Sequence, residues 1–238
     1  MCERIKKPVI TIDGPAGSGK TTVSQIIAKM FHLIWVDTGA LYRAVALVAK
    51  EEGIADNDIQ GLEQVCQSLH LNFVQKNNER FLFNHKTDIS TSIRRPEISM
   101  LASKVSAQPV VREYLLSVQR QLGQQGGAVF EGRDMGTVVF PDADIKFFLF
   151  ADHTIRAKRR FKELQEKAIQ TTFETLSQEM KQRDSQDQNR KIAPLKPADD
   201  AIHMDCTEMN IDEVVHEMKH HILKKYPLII GKNDEKII

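Results

Sequence analysis

Gly14-Pro-Ala-Gly-Ser-Gly-Lys20-Thr21 carries every fixed letter of a Gly-x-x-x-x-Gly-Lys-Thr phosphate-binding loop. Its glycines let the loop fold back so that several backbone N–H groups point inward. A helix starting behind it aims its positive end at the same spot, so a triphosphate is the anion such a nest suits. Lys20 can bridge the β- and γ-phosphates and the Thr21 hydroxyl can ligate Mg²⁺. Gly14, Pro15, Ala16, Gly17, Ser18, Gly19, Lys20, Thr21 and Thr22 are therefore expected to bind a nucleoside triphosphate. Asp37-Thr38-Gly-Ala-Leu-Tyr42-Arg43 offers an arginine suited to gripping a phosphate through two parallel hydrogen bonds. Glu131-Gly-Arg133-Asp134-Met-Gly136 places opposite charges side by side between glycines that allow close backbone approach. Arg183 and Arg190, seven residues apart around Asp187, can reach a neighbouring site from a helix exit.

Strand–helix alternation has to position these groups. Val9–Ile12, Leu33–Val36, Ala128–Phe130, Ile145–Phe150 and Ala201–Met204 read as buried strands, mostly separated by helical patterns. That is the signature of a parallel sheet covered on both faces. Val23, Ile26, Ile27 and Met30 give the helix behind the loop its apolar stripe. Asn210 and Glu213 predict a capping box at the start of the last helix. The Asp37 and Glu131 segments both follow strands, and ligands of open α/β sheets bind at such carboxyl ends. Two segments break the alternation. From Leu69 to about Arg94 the period becomes two, with a turn at Asn77-Asn78, which predicts a small antiparallel insertion. From Ile155 to about Pro197 the chain is polar and helical. Its Arg156–Lys167 stretch holds six Lys or Arg, expected to form a lid facing phosphates.

The 238 residues suffice for one α/β domain with insertions, or for two small domains. A net charge of +1 supplies no overall field toward nucleic acid or membrane, so neither is expected as a partner. Three cysteines without a Cys-x-x-Cys pair read as thiols in a reducing compartment. The N-terminus lacks the apolar core of a signal peptide, and no stretch is long enough to span a bilayer. A cytoplasmic protein is expected.

The chain resembles the bacterial cytidylate kinases of the nucleoside monophosphate kinase family, from Pro8 to roughly Tyr226. The likeness rests on ITIDGPAGSGKTT, VDTGALYRAV, EGRDMGTVVFPDADIKFFL, and RDSQDQNRKIAPL followed by ADDAIHMD. Gln186, Gln188 and Cys206 depart from the usual pattern without touching the proposed chemistry. The resemblance implies an α/β fold with a P-loop and a five-stranded parallel sheet of order 2-3-1-4-5. It implies one kinase domain with a core of about 1–62, 96–154 and 198–230, an NMP-binding insertion of about 63–95 and a lid of about 155–197. The reaction implied is phosphoryl transfer from ATP to CMP or dCMP by a monomer, with Mg²⁺ on Thr21. By the same likeness Lys20, Arg133, Arg183 and Arg190 are catalytic. Thr38, Arg43 and Arg133 hold the acceptor's sugar-phosphate side. Ser103, Arg112 and Asp134 read cytosine, and Asp187 faces ribose from the lid. A carboxylate can accept from the cytosine amino group, whereas the uracil carbonyl would repel it.

Other assignments compete. A P-loop kinase of a different small acceptor shares the loop, but a hydroxyl acceptor needs a general base that these residues do not obviously supply. His216-Glu-Met-Lys-His220 matches a zinc-hydrolase pattern. At about 100° per residue, however, both histidines fall on the face opposite Met218, toward solvent. Asp58-Ile-Gln-Gly61 matches a GTPase switch motif away from any strand end, without a guanine reader.

Overall fold

A computed structural model describes residues 7–76, 79–227 and 229; the expected Asn77-Asn78 turn lies outside the described residues. In chain order the elements begin β1 (Val9–Asp13), α1 (Lys20–Met30), β2 (Ile34–Asp37), α2 (Thr38–Glu51) and α3 (Ile59–Ser68). Next come β3 (Leu71–Lys76), β4 (Glu79–Asn84), β5 (Thr87–Asp88), a 3₁₀ turn at Ser92–Arg94, α4 (Pro96–Val105) and α5 (Pro109–Gly123). The remainder is β6 (Ala128–Gly132), a π-helical turn at Met135–Val139, β7 (Ile145–Phe150), α6 (His153–Glu166), α7 (Phe173–Asn189), β8 (Ile202–Asp205) and α8 (Ile211–Lys225).

The chain divides into two compact units. One takes the described residues up to Val36, Gly123–Asn189 and the described residues from Ala193; the other takes Asp37–Leu122 and Arg190–Ile192. The segment proposed as the NMP-binding insertion falls inside the second unit. The proposed lid falls inside the first, apart from Arg190–Ile192.

In the first unit a five-stranded sheet runs β2-β6-β1-β7-β8, which is 2-3-1-4-5 when only these strands are numbered. β1 pairs in parallel with β6 and β7, so Asp13 stands level with Gly132, which ends β6, and with Phe148, two residues before the end of β7. Both neighbours of β1 are strands and its last four residues are buried, which is why the run is mostly apolar, with Thr11 and Asp13 the exceptions. Ile10, Ile12, Val129, Phe147 and Leu149 are buried against Val23 and Ile27 of α1 and Met218 and Ile222 of α8. Two strands start one residue later than their apolar runs. Leu33 N–H still closes α1 on the Ala28 carbonyl, and Ala201 N–H is committed to a turn onto Ala198. The capping box forms as expected: Glu213 N–H donates to Asn210 Oδ1 at 3.0 Å, and Asn210 N–H to Glu213 Oε2 at 2.8 Å.

Four of the six cations expected to form a phosphate-facing lid have protein partners, while Lys158 and Lys162 are exposed. Arg156 is buried; its Nη1 donates to the Ala16 carbonyl at 2.9 Å and Asp184 Oδ2 at 2.6 Å, and its Nε to Ala151 O at 2.9 Å. Arg159 Nη2 donates to the carbonyls of Cys206 and Met209. Arg160 on the same helix and Lys167 at its C-cap both pair with Glu163. A helix lying close to loop ends meets bare carbonyls, and guanidinium groups supply the missing donors. α6 and α7 share a small core of Ala157, Leu164, Leu176 and Met180.

In the second unit Leu41, Ala44, Val45, Leu62, Ile98 and Leu115 form the centre of the core between α2, α3, α4 and α5. β3, β4 and β5 make the antiparallel insertion, in register from Leu71 opposite Asn84 to Lys76 opposite Glu79. Leu69, expected in the alternating run, instead closes α3, donating its N–H to Cys66 O. Asp58 is the N-cap of α3, accepting from Gly61 N–H at 3.0 Å, which accounts for the switch-like motif as a helix start. No helix among the described residues is long and apolar enough to cross a membrane.

Candidate active site

The phosphate loop joins β1 to α1 through conformations that side chains resist. Gly14 has φ of 148°, and a Cβ there would collide with the Leu149 carbonyl oxygen; Gly17 has φ of 73°, and its Cβ would sit 2.8 Å from Arg156 O. α1 starts at Gly19, which has no side chain to cap it, and its first turn holds no acidic residue. Its leading amides are thus oriented for an external anion.

Lys20 is buried, its Nζ donating to Pro15 O at 2.6 Å and Ser18 Oγ at 3.2 Å. Burial holds its pKa well below the lysine range, and repulsion from Arg133 and Arg183 adds to this, while Glu131 and Asp13 oppose it. A phosphate chain would relieve that crowding. Thr21 Oγ1 donates to Glu131 Oε1 at 3.0 Å, joining the loop to the end of β6. Asp13, buried at the end of β1, accepts from Met135 N–H at 2.9 Å and Gly136 N–H at 2.7 Å. Burial raises its carboxyl from 3.8 to about 6; the two amides and Lys20 pull it down and Asp134 pushes it up.

Arg133 Nε donates to Asp187 Oδ2 at 2.9 Å, and its Nη1 to Gly132 O at 3.2 Å. Asp187 is buried on α7 one turn beyond Arg183, so this pair ties α7 to the end of β6. Asp134 is buried, and its carbonyl receives Val138 and Val139 N–H in the π-helical turn. Lys20, Thr21, Arg133, Asp134, Arg183 and Asp187 therefore all belong to the first unit.

Thr38, Arg43, Ser103 and Arg112 belong to the second unit, as does Arg190. Asp37 caps α2 through Ala40 N–H and pairs with Arg43 Nη2 at 2.6 Å. Arg43 Nε is buried with no hydrogen-bond partner among the described residues, a donor that an incoming oxygen anion would satisfy. Arg112 is not the surface arginine its helix start alone would suggest. It is buried, donates to Ser106 O at 3.3 Å, and lies 5.6 Å from the Tyr42 ring centroid. Ser106 in turn donates to Ser103 O at 2.8 Å, so α4 and α5 bring Ser103 and Arg112 together.

Sequence reasoning named no role for Asp13, Glu131 or Tyr42. Each stood inside a quoted motif; the usable signal was a charged residue ending a buried strand, or an aromatic next to a phosphate-gripping arginine. His216 and His220 are exposed on α8, whose buried residues are Val214, Val215, Met218 and Ile222.

A family model described as cytidylate kinase matches residues 10–224. The chain is 46% identical over 210 residues to a cytidylate kinase of Syntrophotalea carbinolica, spanning 88% of this chain and 89% of the relative. It is 42% identical over 216 residues to that of Enterococcus faecalis, spanning 91% of this chain and 96% of the relative. Its fold is similar to an uncharacterized protein from Eubacterium ventriosum, with a TM-score of 0.51 and 13% identity over 91% of this chain and 98% of that one.

Proposed function

The chain belongs to the cytidylate kinase family, and from its role as a nucleoside monophosphate kinase we propose that it moves the γ-phosphoryl group of ATP onto CMP or dCMP, giving ADP and CDP or dCDP. The observation that carries this reading is the buried Lys20 inside the phosphate loop, bonded to Pro15 O and Ser18 Oγ and repelled by Arg133 and Arg183, which a polyphosphate would relieve.

The nucleophile is an acceptor phosphate oxygen, largely ionised at neutral pH because its second pKa is about 6, so no general base is needed. Catalysis is then alignment plus neutralisation of the transferring group. The loop amides and Lys20 hold the donor phosphates. Arg43 and Arg133 hold the acceptor phosphate, Arg133 exchanging its Asp187 partner for it. Arg183 and Arg190 approach the transferring group, and Asp187 turns to the ribose. Thr21 and Glu131, oxygen donors 3.0 Å apart at the strand end, fit the hard-cation chemistry of Mg²⁺. Held there, Mg²⁺ would supply positive charge to the donor phosphates. Asp134 accepts from the cytosine amino group, and Arg112, stacked by Tyr42, donates to the ring acceptors. Small nucleotides are the partners; the chain works as a cytoplasmic monomer.

ADP release with ATP and a panel of monophosphates, plus hydroxyl acceptors, tests this. CMP and dCMP should exceed UMP, AMP and GMP by at least about tenfold in kcat/KM, the worth of one unmade buried hydrogen bond. Equal turnover of UMP and CMP, or preference for a hydroxyl acceptor, overturns it.

A further inference from the structure

Asp13 has no part in the mechanism above, yet the fold buries it where a buried carboxylate is costly. It is 4% exposed and ends β1 directly before Gly14. Its two oxygens divide their work: Oδ1 accepts from Met135 N–H and Oδ2 from Gly136 N–H. Those amides open the π-helical turn that follows Arg133 and Asp134. The register places Asp13 beside Gly132, the residue preceding Arg133. One residue thus holds the backbone on both sides of the Arg133-Asp134 pair, by its own backbone in the ladder before it and by its carboxylate after it.

We propose that Asp13 is a positioning residue: its ionised carboxylate, accepting both amides, holds Arg133 and Asp134 in the geometry that phosphoryl transfer requires. The requirement for charge is chemical. Only the ionised form offers a full acceptor oxygen to each amide; a protonated carboxyl leaves one amide a weaker hydroxyl acceptor, and an asparagine turns a donor toward it. The charged groups acting on Asp13 are Asp134, which disfavours its ionisation, and Lys20, which favours it. With burial the larger influence, its carboxyl sits at about 6, within reach of physiological acidification. The inference rests on the proposed roles of Arg133 and Asp134.

Asp13→Asn should lower kcat/KM for CMP by about tenfold to a hundredfold at pH near 8, with the KM for ATP changed less. The wild-type advantage over this variant should shrink toward one as pH falls through about 6, because the protonated parent then resembles the amide. Titration of the substrate phosphate cancels in that ratio. A wild-type to variant ratio constant from about pH 5 to 8 would mean a purely structural role and overturn the proposal. The NMR shifts of the Met135 and Gly136 amides in the wild-type protein give a readout that needs no variant to fold. Both should titrate together with one midpoint near 6, and the absence of that titration also overturns the proposal. Co-titrating amides in a protein inactive on CMP would reject the substrate assignment while keeping the Asp13 anchor.

Discussion

Replacing Arg156 by alanine separates two meanings of the cationic helix. The residue is 7% exposed, as is its partner Asp184, and the pair is 2.6 Å apart. Truncation leaves a buried carboxylate facing no guanidinium and removes donors from Ala16 O and Ala151 O. Breaking a buried pair by deleting one member costs about 3–5 kcal/mol. His153 Nδ1 lies 4.0 Å from the same carboxylate and can move in to donate a hydrogen bond to it, so the lower end is expected. For a chain of this size each kcal/mol moves the thermal midpoint by about 2–4 °C, which puts the loss at roughly 6–12 °C. Calorimetric or fluorescence melting of the ligand-free protein measures it. Pairing Arg156→Met with Asp184→Leu should recover more than half of the loss, because no charge is then stranded. A midpoint lowered by less than about 2 °C together with a large fall in kcat would refute the anchor reasoning. Arg156 would then be facing phosphates.

Lys20→Ala should cut kcat by about a hundredfold or more without lowering the melting midpoint, since the buried ammonium is disfavoured in the free protein; circular dichroism and steady-state assays decide this. Asp134→Ala should narrow the gap between CMP and UMP by about tenfold, and an equal loss on both acceptors would remove its base-reading role. Arg183→Ala and Arg190→Ala should each depress kcat more than ATP affinity, as expected of contacts that strengthen in the transition state; single-turnover rates against ATP titrations distinguish this from a static binding wall. For Asp13 the linkage has a definite sign. Its folded-state pKa is raised from 3.8 to about 6, so the stability it contributes is present below about pH 4 and lost as pH rises through about 6. Between those values Asp13→Asn should gain about 3 kcal/mol relative to the parent in urea unfolding, and a pH-independent difference would contradict the buried charge.

The sequence determined what is local. The phosphate loop is legible because its glycine positions answer to backbone conformation, as Gly14 and Gly17 show. The strands are legible because a parallel ladder covered on both faces favours apolar side chains, which Val9, Ile10 and Ile12 supply along β1. The Asn210–Glu213 capping box is legible because its donors and acceptors lie within one turn. Partners across chain distance were not. Nothing in a run of six cations says that Arg156 is spent on Ala16, Ala151 and Asp184, while Lys158 and Lys162 stay exposed. Arg112 reads as a surface residue on its own helix, and only the packing of α4, α5 and α2 buries it beside Ser106 and Tyr42. Asp13 looks like one more strand-end carboxylate until Met135 and Gly136, more than a hundred residues later, bring their amides to it. Residue type and spacing specify which groups a chain owns and which conformations its backbone can adopt. Burial and pairing depend on what the fold packs against each group, and in this protein that assigns charge to holding the site or to working in it.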